Sequence, residues 1–177
     1  MTEDSNKEYF AEIFNKHSST VYRTAYFITK SSILADDITQ ETFIQIIRKF
    51  HMYDSSKPLE PWIYKITVNI TRNMIRKQKL LSLVGMPTNI VQEDLVEPTI
   101  LRNESNAELW KEIIKLPRKS KEVVILHFYS EFTLSEVAGI LSIPLGTCKS
   151  RLNYALNKLR ENKSTIDELI QNELEGR

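Results

Sequence analysis

The four residues Thr133-Leu134-Ser135-Glu136 constrain the fold of this chain more than any others. A threonine hydroxyl and a glutamate carboxylate three residues apart each satisfy a backbone N–H that the first helical turn leaves bare, so the pattern predicts a helix opening at Leu134. The apolar stripe of that helix is Leu134, Val137, Ala138 and Leu141, after which Ser142-Ile143-Pro144 forces a tight turn. A longer amphipathic segment runs over 145–160. Short helix, three-residue turn and basic second helix predict a helix-turn-helix.

In the second helix Cys148, Leu152, Ala155, Leu156 and Leu159 recur at spacings of three and four, and this face is expected to pack inward. The opposite face displays Gly146, Thr147, Lys149, Ser150, Asn153, Tyr154 and Asn157, donors and acceptors gathered in the first turns. A recognition helix enters the major groove by its N-terminal part, which makes Lys149, Ser150 and Asn153 the candidates for base edges. A merely solvated basic surface is the alternative, and the capping box, the turn and the absence of acids through Arg160 favour DNA. Cys148 reads as a small buried hydrophobe in preference to a redox sensor. As the single cysteine it makes no internal disulfide, and His17, His51 and His127 show no metal-ligand spacing with it, so neither metal nor cofactor is expected.

The formal charge is only +1, from 24 basic and 23 acidic residues, which is low for a DNA-binding chain. The distribution is more informative. Residues 61–80 carry Lys65, Arg72, Arg76, Lys77 and Lys79 with no acid, and 141–160 carry Lys149, Arg151, Lys158 and Arg160, again with none. Acids concentrate elsewhere: Asp36, Asp37 and Glu41, then Glu93, Asp94 and Glu97, then Asp167, Glu168, Glu173 and Glu175. Two nucleic-acid contacts and at least one further partner surface follow from such segregation.

With only 4 glycines and 6 prolines, and 41% hydrophobic residues, the chain is expected to be all-α. A first helix is predicted over 9–28, on Phe10, Ile13, Phe14, Val21, Ala25 and Ile28, with His17 as a polar interruption. A second follows the Lys30-Ser31-Ser32 break, with Leu34, Ile38, Phe43, Ile46, Ile47 and Phe50 inside and Asp36, Asp37, Gln40, Glu41 and Gln45 outside. A loop over 51–60 precedes a third, after Pro61, striped by Ile63, Ile66, Ile70 and Met74. Residues 81–104 lose periodicity and read as an extended linker, so two small helical domains are expected at 1–80 and 105–177. The second domain is expected to open with a helix near residue 106 that stops at Pro117, followed by another over 120–129. No segment approaches the ~20 apolar residues of a membrane span and the N-terminus is acidic, which predicts a cytoplasmic protein.

The third helix presents Lys65, Asn69, Arg72, Asn73, Arg76 and Lys77, with Trp62, Tyr64 and Tyr53 near in sequence. Cations that track phosphates, interleaved with rings that stack on bases, suit a single strand better than a duplex. An amide such as that of Asn69 can read the edge of a flipped base. Trp62 and Tyr64 have a second reading, as core residues.

Three stretches together resemble the extracytoplasmic-function sigma factors of the sigma-70 family, and the likeness covers nearly the whole chain. They are Ala35-Asp36-Asp37-Ile38-Thr39-Gln40-Glu41-Thr42-Phe43, Pro61-Trp62-Ile63-Tyr64-Lys65-Ile66-Thr67-Val68-Asn69, and Leu134-Ser135-Glu136-Val137-Ala138 with Gly146-Thr147-Cys148-Lys149-Ser150-Arg151-Leu152. The resemblance implies that Asp36, Asp37, Gln40 and Glu41 dock on a coiled coil of the β′ clamp of core RNA polymerase. It implies that Tyr53, Asp54, Trp62, Lys65, Asn69, Arg72 and Arg76 receive the unpaired −10 element, with a flipped base held near Tyr53, Asp54 and Asn69. Thr133, Gly146, Thr147, Lys149, Ser150, Arg151, Asn153 and Tyr154 would read the −35 element and its phosphates. The resemblance further implies no catalysis by the chain itself and no membrane insertion, and it admits an anti-sigma factor, membrane-bound or otherwise, as a sequestering partner. The position of Cys148 more often holds valine in that family. Asn153 and Tyr154 stand where members differ, so no promoter sequence transfers.

Two other readings are open to the residues. A stand-alone helix-turn-helix regulator would bind duplex operators as a dimer, on half-sites about one turn apart, but it leaves the acidic helix and the single-strand patch without a role. A nuclease or transferase would hold magnesium with Asp36, Asp37 and Glu41, but no nucleophile, base or phosphate-binding glycine loop accompanies them.

Overall fold

A computed structural model describes residues 3–85 and 107–161, with side chains from residue 7 in the first stretch and from 109 in the second. The chain divides into two units, Met1–Asp94 and Leu95–Arg177. Among the described residues every regular element is helical, as the scarcity of turn formers implies. No described helix is long and apolar enough to cross a membrane. The expected linker lies almost wholly outside the described residues, as does the acidic tail after 161.

The first unit holds α1 (Glu3–Thr29), α2 (Ser32–Lys49), a 3₁₀ turn at Phe50–Met52 and α3 (Leu59–Leu83). Two residues join α1 to α2. Lys30 adopts the left-handed region at φ 61° while its N–H bonds Tyr26 O at 2.7 Å, and the Ser31 hydroxyl then accepts from Leu34 N at 3.2 Å. One helix is thereby ended and the next capped within a single turn. The three helices pack on one another around Val21, Ala25, Phe27, Leu34, Ile38, Ile46, Ile63 and Val68.

Several inward assignments shift. His17 is buried on the α1 stripe, and Phe14, expected inside, is about half exposed against Phe43. Ile47, also expected inside, is 55% exposed. On α3 the buried set is Ile63, Tyr64, Thr67, Val68 and Thr71, while Ile66, Ile70 and Met74 are only half-buried. The threonines can lie inside because their hydroxyls donate along their own helix, Thr67 to Ile63 O at 3.0 Å and Thr71 to Thr67 O at 2.8 Å.

The second unit holds α4 (Ala107–Lys115), α5 (Arg118–Val124) running into a π-helical turn at Ile125–Tyr129, α6 (Leu134–Leu141) and α7 (Leu145–Glu161). Pro117 separates α4 from α5 as expected. The core contains Trp110, Ile113, Val123, Ile125, Leu126, Val137, Leu141, Cys148 and Ala155. Buried Lys121 donates to Ile114 O at 2.9 Å, placing a cation at the C-terminal end of α4, where bare carbonyls and the helix dipole favour one.

Candidate nucleic-acid interface

The capping box at Thr133 forms on both sides: Glu136 N donates to the Thr133 hydroxyl at 3.3 Å, and Thr133 N donates to the Glu136 carboxylate at 2.9 Å. At the far end of α6, Ser142 turns left-handed at φ 54°, and Ile143 N bonds Ala138 O at 3.0 Å. α7 starts three residues later. Cys148, Leu152, Ala155 and Leu159 are buried, Leu156 less so. Burial raises the Cys148 thiol above its ordinary value, against a smaller opposing pull from Arg151.

The outer face of α7 exposes Gly146, Lys149, Ser150, Asn153 and Tyr154, with Thr147 and Arg151 half-buried at its edges. A Cβ on Gly146 would meet nothing within the chain, so the bare backbone there leaves room for an outside group to approach. The Ser150 hydroxyl donates to Thr147 O at 3.0 Å and therefore offers a partner mainly its lone pairs. Leu145, missed in the sequence, is also exposed at the start of α7, where an apolar side chain suits a thymine methyl.

In the first unit Lys65, Asn69, Arg72 and Arg76 follow one another at spacings of four, three and four, which lines them along one side of α3. Tyr64 is 3% exposed and belongs to the core, which removes it as a stacking platform. Trp62 is half-buried, partly in the core and partly open to solvent. Its ring packs 5.2 Å from that of Tyr53 and 6.3 Å from that of Phe50.

The loop before α3 is folded by its own polar groups. The Tyr53 hydroxyl donates to Lys57 O. Asp54 accepts from the Ser56 hydroxyl at 2.7 Å and Ser56 N at 3.1 Å, and pairs with Lys57 at 2.9 Å. Hydrogen bonds from Ser56 and Lys57 hold its carboxyl at about 2. Asp54 thus shapes the loop with both oxygens engaged. Asn69 sits elsewhere, two turns or about 10 Å beyond Trp62 along α3. It lines a groove of about 340 Å³ with Ile66, Ile70, Asn73 and Met74 and with Glu41, Gln45 and Lys49 of α2. Tyr53 and Asp54 are not among the residues that line this groove.

On α2, Asp36, Asp37 and Gln40 are exposed, and half-buried Glu41 accepts from Gln45 at 2.8 Å. Ile33, Ile44 and Ile47 are 46%, 42% and 55% exposed, and with Asp37 and Gln40 they make a continuous stripe at spacings of four and three. This mixed apolar and acidic face was only half visible in the sequence. The surplus of isoleucines over what one inward stripe needs was the available signal. Among the described residues no group of three or more His, Cys, Asp or Glu could hold a metal ion.

Two family models match, Sigma-70 region 2 over residues 13–80 and Sigma-70, region 4 over 113–161. The chain is 29% identical to the ECF RNA polymerase sigma factor SigW of Bacillus subtilis, over 88% of this chain and 89% of that one. It is 28% identical to SigM of the same organism, over 89% and 98%. In fold it resembles the sigma factor RpoE of Bartonella quintana, solved with the anti-sigma factor NepR, at a TM-score of 0.72 and 22% identity, covering 86% of this chain and 94% of that one. The matched regions contain the acidic helix, the basic line on α3 and the helix-turn-helix, in that order, and with them the chain belongs to the sigma-70 family as an extracytoplasmic-function sigma factor.

Proposed function

We propose that this sigma factor binds core RNA polymerase through the outer face of α2 and directs initiation at promoters read by two separate basic surfaces. The observation that carries the reading is the segregation of charge on exposed helix faces. Cations line the outside of α3 and the first turns of α7, whereas acids and isoleucines share the outside of α2. Asp36, Asp37, Gln40 and Glu41 supply the polar part of the docking face, and Ile33, Ile44 and Ile47 its apolar part. A face that mixes exposed isoleucines with acids fits a protein partner better than a nucleic acid.

The −35 duplex meets Thr133, Gly146, Thr147, Lys149, Ser150, Arg151, Asn153 and Tyr154, with base edges falling to Lys149, Ser150 and Asn153. Unpaired −10 bases meet Tyr53, Trp62 and the line Lys65, Asn69, Arg72 and Arg76, with Asp54 shaping the loop. Strand opening is driven by capture of bases as they flip out, and nucleotide chemistry is left to the core enzyme. The chain acts in the cytoplasm. A sequestering anti-sigma protein is part of this reading, since the Bartonella quintana relative was solved with one.

Run-off transcription by core polymerase over a library of promoter fragments, with and without this protein, tests the proposal. Start sites that appear only in its presence support it and define both elements. Absence of such sites, with the protein alone shifting duplex DNA, would replace it by a stand-alone regulator.

A further inference from the structure

The rings around the loop at 53–58 form one connected cluster, and two of its members come from a helix with no role in the promoter reading. Tyr9 and Phe10, in α1, pack edge-on against Phe50 at 5.4 and 5.2 Å between ring centroids. Phe50 in turn lies 5.6 Å from Tyr53 and 6.3 Å from Trp62, and those two rings are 5.2 Å apart. All five are half-buried, so the cluster has one side against the protein and one side towards solvent. Tyr9, Phe10 and Trp62 meet Phe50 edge-on at 60°, 84° and 76°, which fixes ring tilt as well as position because the positive edge of one ring seeks the negative face of the next, while Tyr53 lies tilted at 33° to Phe50 and 45° to Trp62.

A second contact ties α1 to the other end of the loop. Lys16, two turns along α1 from Tyr9, pairs with Glu60 in the first turn of α3 at 3.0 Å. The N-terminal half of α1 therefore grips both ends of the loop, Phe50 before it and Glu60 after it. A stacking platform is effective only when its ring is held at the correct tilt before the base arrives, since ordering it afterwards subtracts from binding.

We propose that Tyr9 and Phe10 are positioning residues for capture of unpaired promoter bases, setting the tilt of Tyr53 and Trp62 through Phe50. The proposal rests on the reading that Tyr53 and Trp62 face the −10 strand. It adds a determinant of strand opening that touches no DNA.

The test uses full-length protein in holoenzyme with core polymerase, on a promoter fragment that the wild type opens in the run-off experiment. Tyr9→Leu with Phe10→Leu keeps apolar bulk and removes both rings, whereas Tyr9→Phe with Phe10→Tyr keeps both rings. Permanganate reactivity of unpaired thymines gives the opening rate. Affinities for core polymerase and for a duplex carrying only the −35 element are measured alongside. The leucine pair is expected to slow opening about tenfold, the size of one or two lost ring contacts, with both affinities within about twofold of wild type. The ring-keeping pair should open at the wild-type rate. Unchanged opening by the leucine pair would overturn the proposal, as would a parallel loss of opening and core affinity, which marks a merely structural role. Tyr53→Ala with Trp62→Ala separates the two levels of the argument. If that variant also opens normally, the −10 reading itself has failed; if it alone is defective, only the positioning role of α1 has.

Discussion

The Lys16 ammonium lies 3.0 Å from the Glu60 carboxylate, with the neighbouring His17 buried beneath the pair. Burial lowers the His17 pKa from 6.5, and Glu60 partly restores it. Between the lowered value and 6.5 the folded chain thus holds fewer protons than the unfolded one. Stability is then full above that window and declines as pH falls through it. Urea midpoints are expected to be level from about pH 7 to 8 and to drop below about 6.5. His17→Gln should remove the drop, and Glu60→Gln should move the His17 ring-proton NMR titration to lower pH. Glu60 is held below its ordinary 4.5 chiefly by Lys16, so its own contribution disappears only in more acidic solution.

Thr42 is fully buried in α2, and its hydroxyl has no hydrogen-bond partner. Valine has the same shape without the unsatisfied oxygen. Thr42→Val is expected to stabilise the first unit by about 1 kcal/mol, a rise of roughly 5 °C in the melting temperature read by circular dichroism.

The isoleucines on α2 give the proposed docking face a component that salt does not screen. Ile33→Ser with Ile44→Ser should weaken core binding by about tenfold, at little cost in folding because both side chains are already exposed. Asp37→Lys with Glu41→Lys should weaken it as well, and this loss alone should depend on ionic strength. Fluorescence anisotropy of labelled protein titrated with core polymerase at two salt concentrations checks both.

On α7, Lys149 and Asn153 make different predictions although both are exposed. Lys149→Ala should reduce the slope of log affinity against log salt by about 1 if the ammonium meets a phosphate. Asn153→Ala should leave the slope unchanged and relax preference at one base pair, at a cost of about 1–3 kcal/mol on the preferred sequence. Holoenzyme binding to single-position variants of the −35 duplex distinguishes the two, and neither change should alter core affinity.

What the sequence revealed depended on how local the physics was. The helix-turn-helix was legible because its determinants lie within a few residues of what they determine: Thr133 with Glu136, Ser142-Ile143-Pro144 at the turn, and Cys148, Leu152, Ala155 and Leu159 on one stripe. The packing of α1 and α3 was less so. Hydrophobicity alone put Phe14 inside and made His17 an interruption, and it chose Ile66, Ile70 and Met74 over Tyr64, Thr67 and Thr71. Threonine hydroxyls that bond the preceding turn carry little burial penalty, and no composition scale registers this. The groove beside Asn69 was equally hidden, because it depends on α2 supplying the other wall.

The joint between α6 and α7 is held by the backbone bonds of Ser142 and Ile143, the Thr133–Glu136 reciprocal cap fixes the other end of α6, and α7 is seated by side chains on its inner stripe. None of these groups belongs to the outward face from Lys149 to Tyr154. Along α7, aim and address are therefore encoded in separate residues. A duplicated copy of such a gene can exchange its outward side chains one at a time, acquiring a new set of target promoters, without any step at which the helix loses its bearing on the groove. Diversification of the regulon is in that sense decoupled from folding.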